Sequence, residues 1–128
     1  MRSMTKYRLD LAKERFEISK KLLDDGHYRD SINRSYYSIF SAVRALLAEE
    51  KIDFKKHSAV ISYFRKNYIK TKIFDVKFSD YIGDAFDFRN DCDYEDFIFV
   101  SRNEAEEQYN HAVKFFEAIK KFLEEAEQ

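Results

Sequence analysis

The residues best equipped for chemistry lie in one short stretch, FDFRNDCDYEDF, residues 86–97, where Arg89 stands among acidic and aromatic side chains. A guanidinium presents five N–H donors in a planar fork that suits a phosphate or a carboxylate. Arg89 with Asn90, Asp93 and Tyr94 therefore reads in two ways. One is an anion-binding group; the other is a helix end closed by Asp93 or Asp91, with no ligand. A free tyrosine, with a pKa of about 10, is under roughly one per cent ionised at neutral pH and makes a poor base unless strongly perturbed.

Arg34, Tyr37 and Ser41 form a second constellation, because spacings of three and four residues bring polar tips and a ring onto one helix face. That face either looks into a site or is a core edge from which Arg34 snorkels to water. His57 has no second histidine or cysteine at ligand spacing, which argues against a metal and for a hydrogen bond at the start of a helix. His27 and His111 are equally isolated, and no metal or cofactor is expected. Cys92, the lone cysteine, cannot close an intrachain bridge and reads as buried volume.

These side chains need elements to hold them, and composition says which. The 128 residues include no proline and only two glycines, so little interrupts long helices. The length suits one domain over residues 1–128. With 23 Lys and Arg against 24 Asp and Glu, no overall field attracts nucleic acid, so any nucleotide must be held locally. No apolar run approaches the ~20 residues of a membrane span, and the N-terminus lacks a secretory pattern. A cytoplasmic protein is expected. The aromatic share, 17 per cent with 13 Phe and 9 Tyr, exceeds the needs of one small core and points either to base-composition bias or to a self-association face.

Apolar periodicity predicts a first helix from about Thr5 to Asp25, with Leu9, Ala12, Phe16, Ser19 and Leu23 inward and Glu17 one turn before Lys20 and Lys21 outside. Gly26 ends it. The second starts near Tyr28 and buries Ile32, Tyr36, Ile39, Phe40, Val43 and Leu47. Asp53 to Lys56 is a polar link before a short third helix with Val60, Ile61, Phe64 and Tyr68. Its basic residues, among them Lys55, Lys56, Arg65 and Lys66, read as a solvated face, with phosphate contact the minor alternative. A fourth helix spans about Phe74 to Cys92. Ser101 and Glu104 form a capping box for the last one, with Val100 stapling onto Ala105. Phe97, Ile98, Phe99 and Val100 pack over the bundle end or touch a second chain. The expected fold is all-α, an up-and-down antiparallel bundle of four long helices and a short fifth.

The ordered set Asn33-Arg34-Ser35-Tyr36-Tyr37-Ser38-Ile39-Phe40, Arg44-Ala45-Leu46-Leu47, Lys56-His57-Ser58 and Arg89-Asn90-Asp91-Cys92-Asp93-Tyr94 resembles the HEPN domain family over nearly the whole chain. The resemblance implies a small helical bundle that pairs as a homodimer, a minimal nucleotidyltransferase partner, and membership of toxin–antitoxin or related two-component systems. Several members are metal-independent ribonucleases carrying arginine followed by four to six residues and histidine. Here Arg89 fits but Tyr94 stands where the histidine would fall, as in the branch with R-x-x-x-D-Y. Asp96 replaces the tyrosine that the partner enzyme modifies in other members.

The expectation is a non-enzymatic or weakly active dimer that binds a nucleotide or RNA phosphate where two Arg89 side chains and the Arg34–Tyr37 face line one cleft. Asn90, Asp93, Tyr94 and His57 complete that site. The alternatives are a ribonuclease toxin using Arg89 with Tyr94 or His57, and a structural interaction module in which Arg89 merely pairs with Asp93.

Overall fold

Gly26 turns the chain back on itself at the end of α1 (Ser3–Asp24). It takes φ +83°, its N–H bonds the Leu23 carbonyl, and the His27 N–H reaches Leu22 at 2.8 Å. This is the pair of bonds by which a left-handed residue closes a helix. α2 (Tyr28–Glu49) then runs antiparallel along α1. Ser38 Oγ donates to the Ala12 carbonyl at 2.7 Å and Arg8 Nη1 to that of Arg44 at 3.1 Å. Fully buried Ala12, Ser19, Ser31, Ser35 and Ser38 line the seam and let the two backbones approach. Their hydroxyls are satisfied there, since Ser19 Oγ lies 2.9 Å and 2.7 Å from those of Ser31 and Ser35.

The computed structural model describes residues 1–96 and 98–127. After α2 come the short α3 (His57–Phe64), a π-helical turn at Arg65–Ile69, α4 (Lys77–Tyr94) and α5 (Arg102–Ala126). Phe16 of α1 packs edge-on against Tyr109 and Phe116, and the amino group of Met1 pairs with Glu127, so α5 runs opposite to α1. Contacts of Phe78 with Phe115 and of Tyr81 with His111 set α4 opposite to α5. The result is the expected all-α, up-and-down bundle of four long helices and one short one, with no strand among the described residues. None of the described helices is long and apolar enough to cross a membrane.

α2 is the central element. Its Tyr36, Ile39, Val43, Leu46 and Leu47 are wholly buried against Phe64, Ile82, Phe115 and Ile119, each large side chain contributing about 1.5–3 kcal/mol by leaving water. A second cluster of Leu23, Ile32, Cys92, Val100 and Ala105 closes the other end, with Ile98 against it. Thus Ile98 and Val100 do pack over the bundle end, while Phe99 is 84% exposed; Phe97 lies outside the described residues. The capping box forms as expected, with Ser101 Oγ accepting from the Glu104 N–H at 3.1 Å.

Two boundaries and one ion pair differ from the periodic reading. α4 starts at Lys77 because Lys72 takes φ +63° and the Phe74 N–H folds back onto the Tyr68 carbonyl, dropping the Phe74 ring into the core from a loop. Tyr68 sits in the π-turn rather than in a continued α3. On α1 the ion pair is Lys20 with Asp24 at 2.9 Å, not with Glu17.

Candidate functional site

Consecutive residues of α2 serve two surroundings. Tyr36 is fully buried, while Tyr37 sits half-buried at the seam with its ring centroid 5.2 Å away. α4 delivers Arg89 onto this pair, with the guanidinium carbon 5.6 Å from each ring centre, a distance at which the negative ring face attracts the cation. Nη2 donates to Tyr37 Oη at 2.9 Å and Nη1 to Asn90 Oδ1 at 3.3 Å. Nε lies 3.0 Å from Asp93 Oδ2, one helical turn on, but its N–H points off the carboxylate and finds no acceptor. The Asp93 pairing foreseen for a ligand-free helix end is therefore present, and it is imperfect. Arg89 keeps 20% of its side chain exposed. Three of its five N–H groups, that of Nε and one on each Nη, bond no described residue.

His57, the first residue of α3, joins the same cluster. Its Nδ1 lies 2.7 Å from Tyr36 Oη and its ring stacks on Phe40 at 4.0 Å. The hydrogen bond expected at the start of its own helix goes across to α2 instead. Burial pushes the Tyr36 phenol well above its ordinary pKa, so it stays protonated. It has no other acceptor among the described residues, and a buried O–H without one would carry a desolvation penalty. Tyr36 therefore donates, Nδ1 accepts, and the imidazole hydrogen resides on Nε2. Burial, and then the charges of Arg89 and Arg44, hold the His57 pKa below the ordinary histidine value. At neutral pH the ring is an uncharged N–H donor.

α1 contributes a residue that sequence reasoning passed over. Arg15 donates through Nη1 to Ser41 Oγ, and its guanidinium carbon lies 5.9 Å from the Tyr37 ring centre. Tyr36 was also missed as a polar partner, since its spacing is that of a core residue. The available signal was its hydroxyl, which at a fully buried position must find a bond. Nothing local marks Arg15, because its relation to Tyr37 exists only once α1 packs on α2.

Other anticipated residues stay apart. Arg34 is exposed and forms no hydrogen bond or ion pair with a described residue, as the snorkelling reading has it. Tyr94, the last residue of α4, is 79% exposed and likewise unbonded. Ser41 is buried beneath Arg15. His111 stacks on Tyr81 at 3.7 Å, remote from Arg89 in the helix order. Cys92 is buried, and that burial raises its thiol pKa. Within the basic run, Arg65 packs onto α4, donating from Nε to Ser79 Oγ at 2.9 Å and lying so close to Gly83 that a Cβ there would be 2.7 Å from Nη2. Among the described residues no group of three or more His, Cys, Asp or Glu could hold a metal.

The arrangement gathers the donors of Arg15, Arg89 and His57 around two phenol rings. It suits an anion with several acceptor oxygens. The model of the HEPN domain family matches residues 5–123. A protein of Methanocaldococcus jannaschii named "Putative toxin" is 36% identical over 115 residues, covering 90% of this chain and 78% of that one. A second M. jannaschii protein so named is 30% identical over 117 residues, covering 91% and 87%. A Thermotoga maritima protein described as a UPF0332 protein is 28% identical over 114 residues, covering 89% and 86%.

Proposed function

The chain belongs to the HEPN domain family, and from that premise we propose that it is one component of a toxin–antitoxin-type pair that binds a phosphate of a nucleotide or RNA at Arg89. The observation that carries this reading is the Arg89 guanidinium, held on the Tyr36 and Tyr37 rings with three N–H groups unused and the neutral His57 imidazole in the same cluster. Two relatives bearing a toxin name support the system-level part. Two copies of the chain pair in this reading. Tyr94 and Phe99, exposed at and beyond the end of the helix that carries Arg89, supply apolar surface for that contact. The partner component is a minimal nucleotidyltransferase. Titrating the purified protein with a labelled oligoribonucleotide and with ATP, beside Arg89→Ala, tests the site. Binding that the variant loses supports the reading, and equal binding by both refutes it. Light scattering at high concentration tests pairing, and copurification from native cells with mass analysis tests the partner.

A ribonuclease reading has one observation in its favour, the meeting of His57 with Arg89 through Tyr36. The proton arrangement weighs against it. The Nδ1 lone pair of His57 is occupied by the phenol and Nε2 already carries hydrogen, so neither nitrogen is a ready base. Incubation with total RNA of the wild type, Arg89→Ala and His57→Ala decides between them. Cleavage lost in both variants favours the ribonuclease.

A further inference from the structure

We propose that Arg15 is the second cation of the anion site, so that a phosphate is clamped by the two guanidiniums that α1 and α4 bring to Tyr37. The inference rests on the phosphate-binding reading above and extends it to a residue that no motif marks. Two charged groups converge on one half-buried ring: the Arg15 and Arg89 carbons lie 5.9 Å and 5.6 Å from the Tyr37 centroid, which bounds their separation by the sum of those distances. Their compensation is unequal. Arg89 has the Asp93 carboxylate at 3.0 Å. Arg15 has only the neutral hydroxyl of Ser41, and no described carboxylate lies within ion-pair distance of it.

Like charges gathered in partly dry surroundings repel. A fold serving only stability would be better off with a carboxylate or an apolar residue at position 15. An incoming phosphate supplies the missing negative charge, and its several oxygens can accept from two forks at once. Ser41 and Tyr37 stand one turn apart on α2, so the hydroxyl that holds Arg15 also sets it beside the ring. The surplus is local, since the whole chain carries a formal charge of −1.

The experiment measures anisotropy of a short fluorescein-labelled oligouridylate over a range of salt, with unlabelled ATP as competitor, for the wild type, Arg89→Ala, Arg15→Ala, Arg15→Gln and Lys13→Ala. Arg15→Gln keeps the stem and a donor for Ser41, and thermal melts confirm that each variant folds. Lys13 is exposed on α1, and its loss removes the same charge elsewhere on that helix. Arg15→Ala and Arg15→Gln are expected to weaken oligouridylate binding about tenfold or more, as for a lost charge-assisted bond. The slope of log affinity against log salt should fall by about 0.7. Lys13→Ala should stay within about twofold of wild type, as expected for a distant screened charge. Competition by ATP that depends on Arg15 assigns the site to a mononucleotide, and its absence to a polynucleotide strand. If Arg89→Ala weakens binding while both Arg15 variants match Lys13→Ala, the clamp is overturned and the Arg89 site stands. If the wild type binds neither probe, the parent reading fails and the clamp with it.

Discussion

Replacing Tyr36 by phenylalanine removes one oxygen and probes the bond on which the protonation of the site depends. Tyr36 is fully buried, and its hydroxyl meets only His57 Nδ1, at 2.7 Å. The ring remains, keeping its contacts with Tyr37, Phe40 and Phe86 and its face toward Arg89, so no sizeable cavity opens. What is lost is a neutral hydrogen bond with a net worth of about 0.5–1.5 kcal/mol, together with part of the cost of leaving Nδ1 without its donor. His57 is only partly buried, so water relieves some of that cost. The expected destabilisation is about 1–2 kcal/mol, or a melting temperature lower by roughly 3–8 °C for a chain of this size. A second readout follows from the same bond. A donor at Nδ1 favours neutral imidazole, so Tyr36→Phe should raise the His57 titration midpoint toward the ordinary value of about 6.5 and mix its tautomers. Nitrogen-15 NMR of the imidazole reads both. Tyr37→Phe serves as the control, since it removes the acceptor of Arg89 but leaves the His57 tautomer alone. A melting temperature unchanged by Tyr36→Phe, with wild-type imidazole shifts, would refute the bond and the donor role assigned to His57.

Burial, with the cations near His57, depresses the pKa of both His57 and His111 below the ordinary value. The unfolded chain therefore binds more protons as pH falls, and stability should decline as pH falls through the ordinary histidine value of about 6.5 and level off below the folded pKa values, as followed by urea melts. Lys51 ends α2 at φ +61°, with its N–H on the Ala48 carbonyl and that of Ile52 on Leu47, so Lys51→Gly should stabilise the chain by about 0.5–1 kcal/mol, measured by thermal melting. Ser101→Ala removes the side-chain half of the capping box on α5, the bond from the Glu104 N–H to Ser101 Oγ, and should cost about 1 kcal/mol in chemical denaturation, with oligonucleotide binding unaffected.

Much of the fold was legible in the chain because periodicity is local. The stripe from Ala105 to Leu123, the Ser101–Glu104 cap and the Gly26 stop each involve residues within a turn or two of one another, and each formed as the pattern requires. At the start of α4 the boundary shifted because of a left-handed residue without a glycine signature. Lys72 breaks the chain before α4, and propensity alone does not mark a lysine for that role.

The candidate site was legible only in part. Residue type identified Arg89 and offered Asp93 or Asp91 as its neighbour; the fold selects Asp93, one helical turn on. That Tyr36 belongs to the polar cluster, that His57 bonds it, that Arg15 flanks Tyr37 and that Arg34 does not join are decisions of packing among α1, α2, α3 and α4. The sequence by itself determined which helices form and which faces they bury, because 3.6-residue spacing and caps act within an element. Only the tertiary structure decided which donors converge, because residues tens of positions apart become neighbours when apolar faces close and buried hydroxyls must find partners.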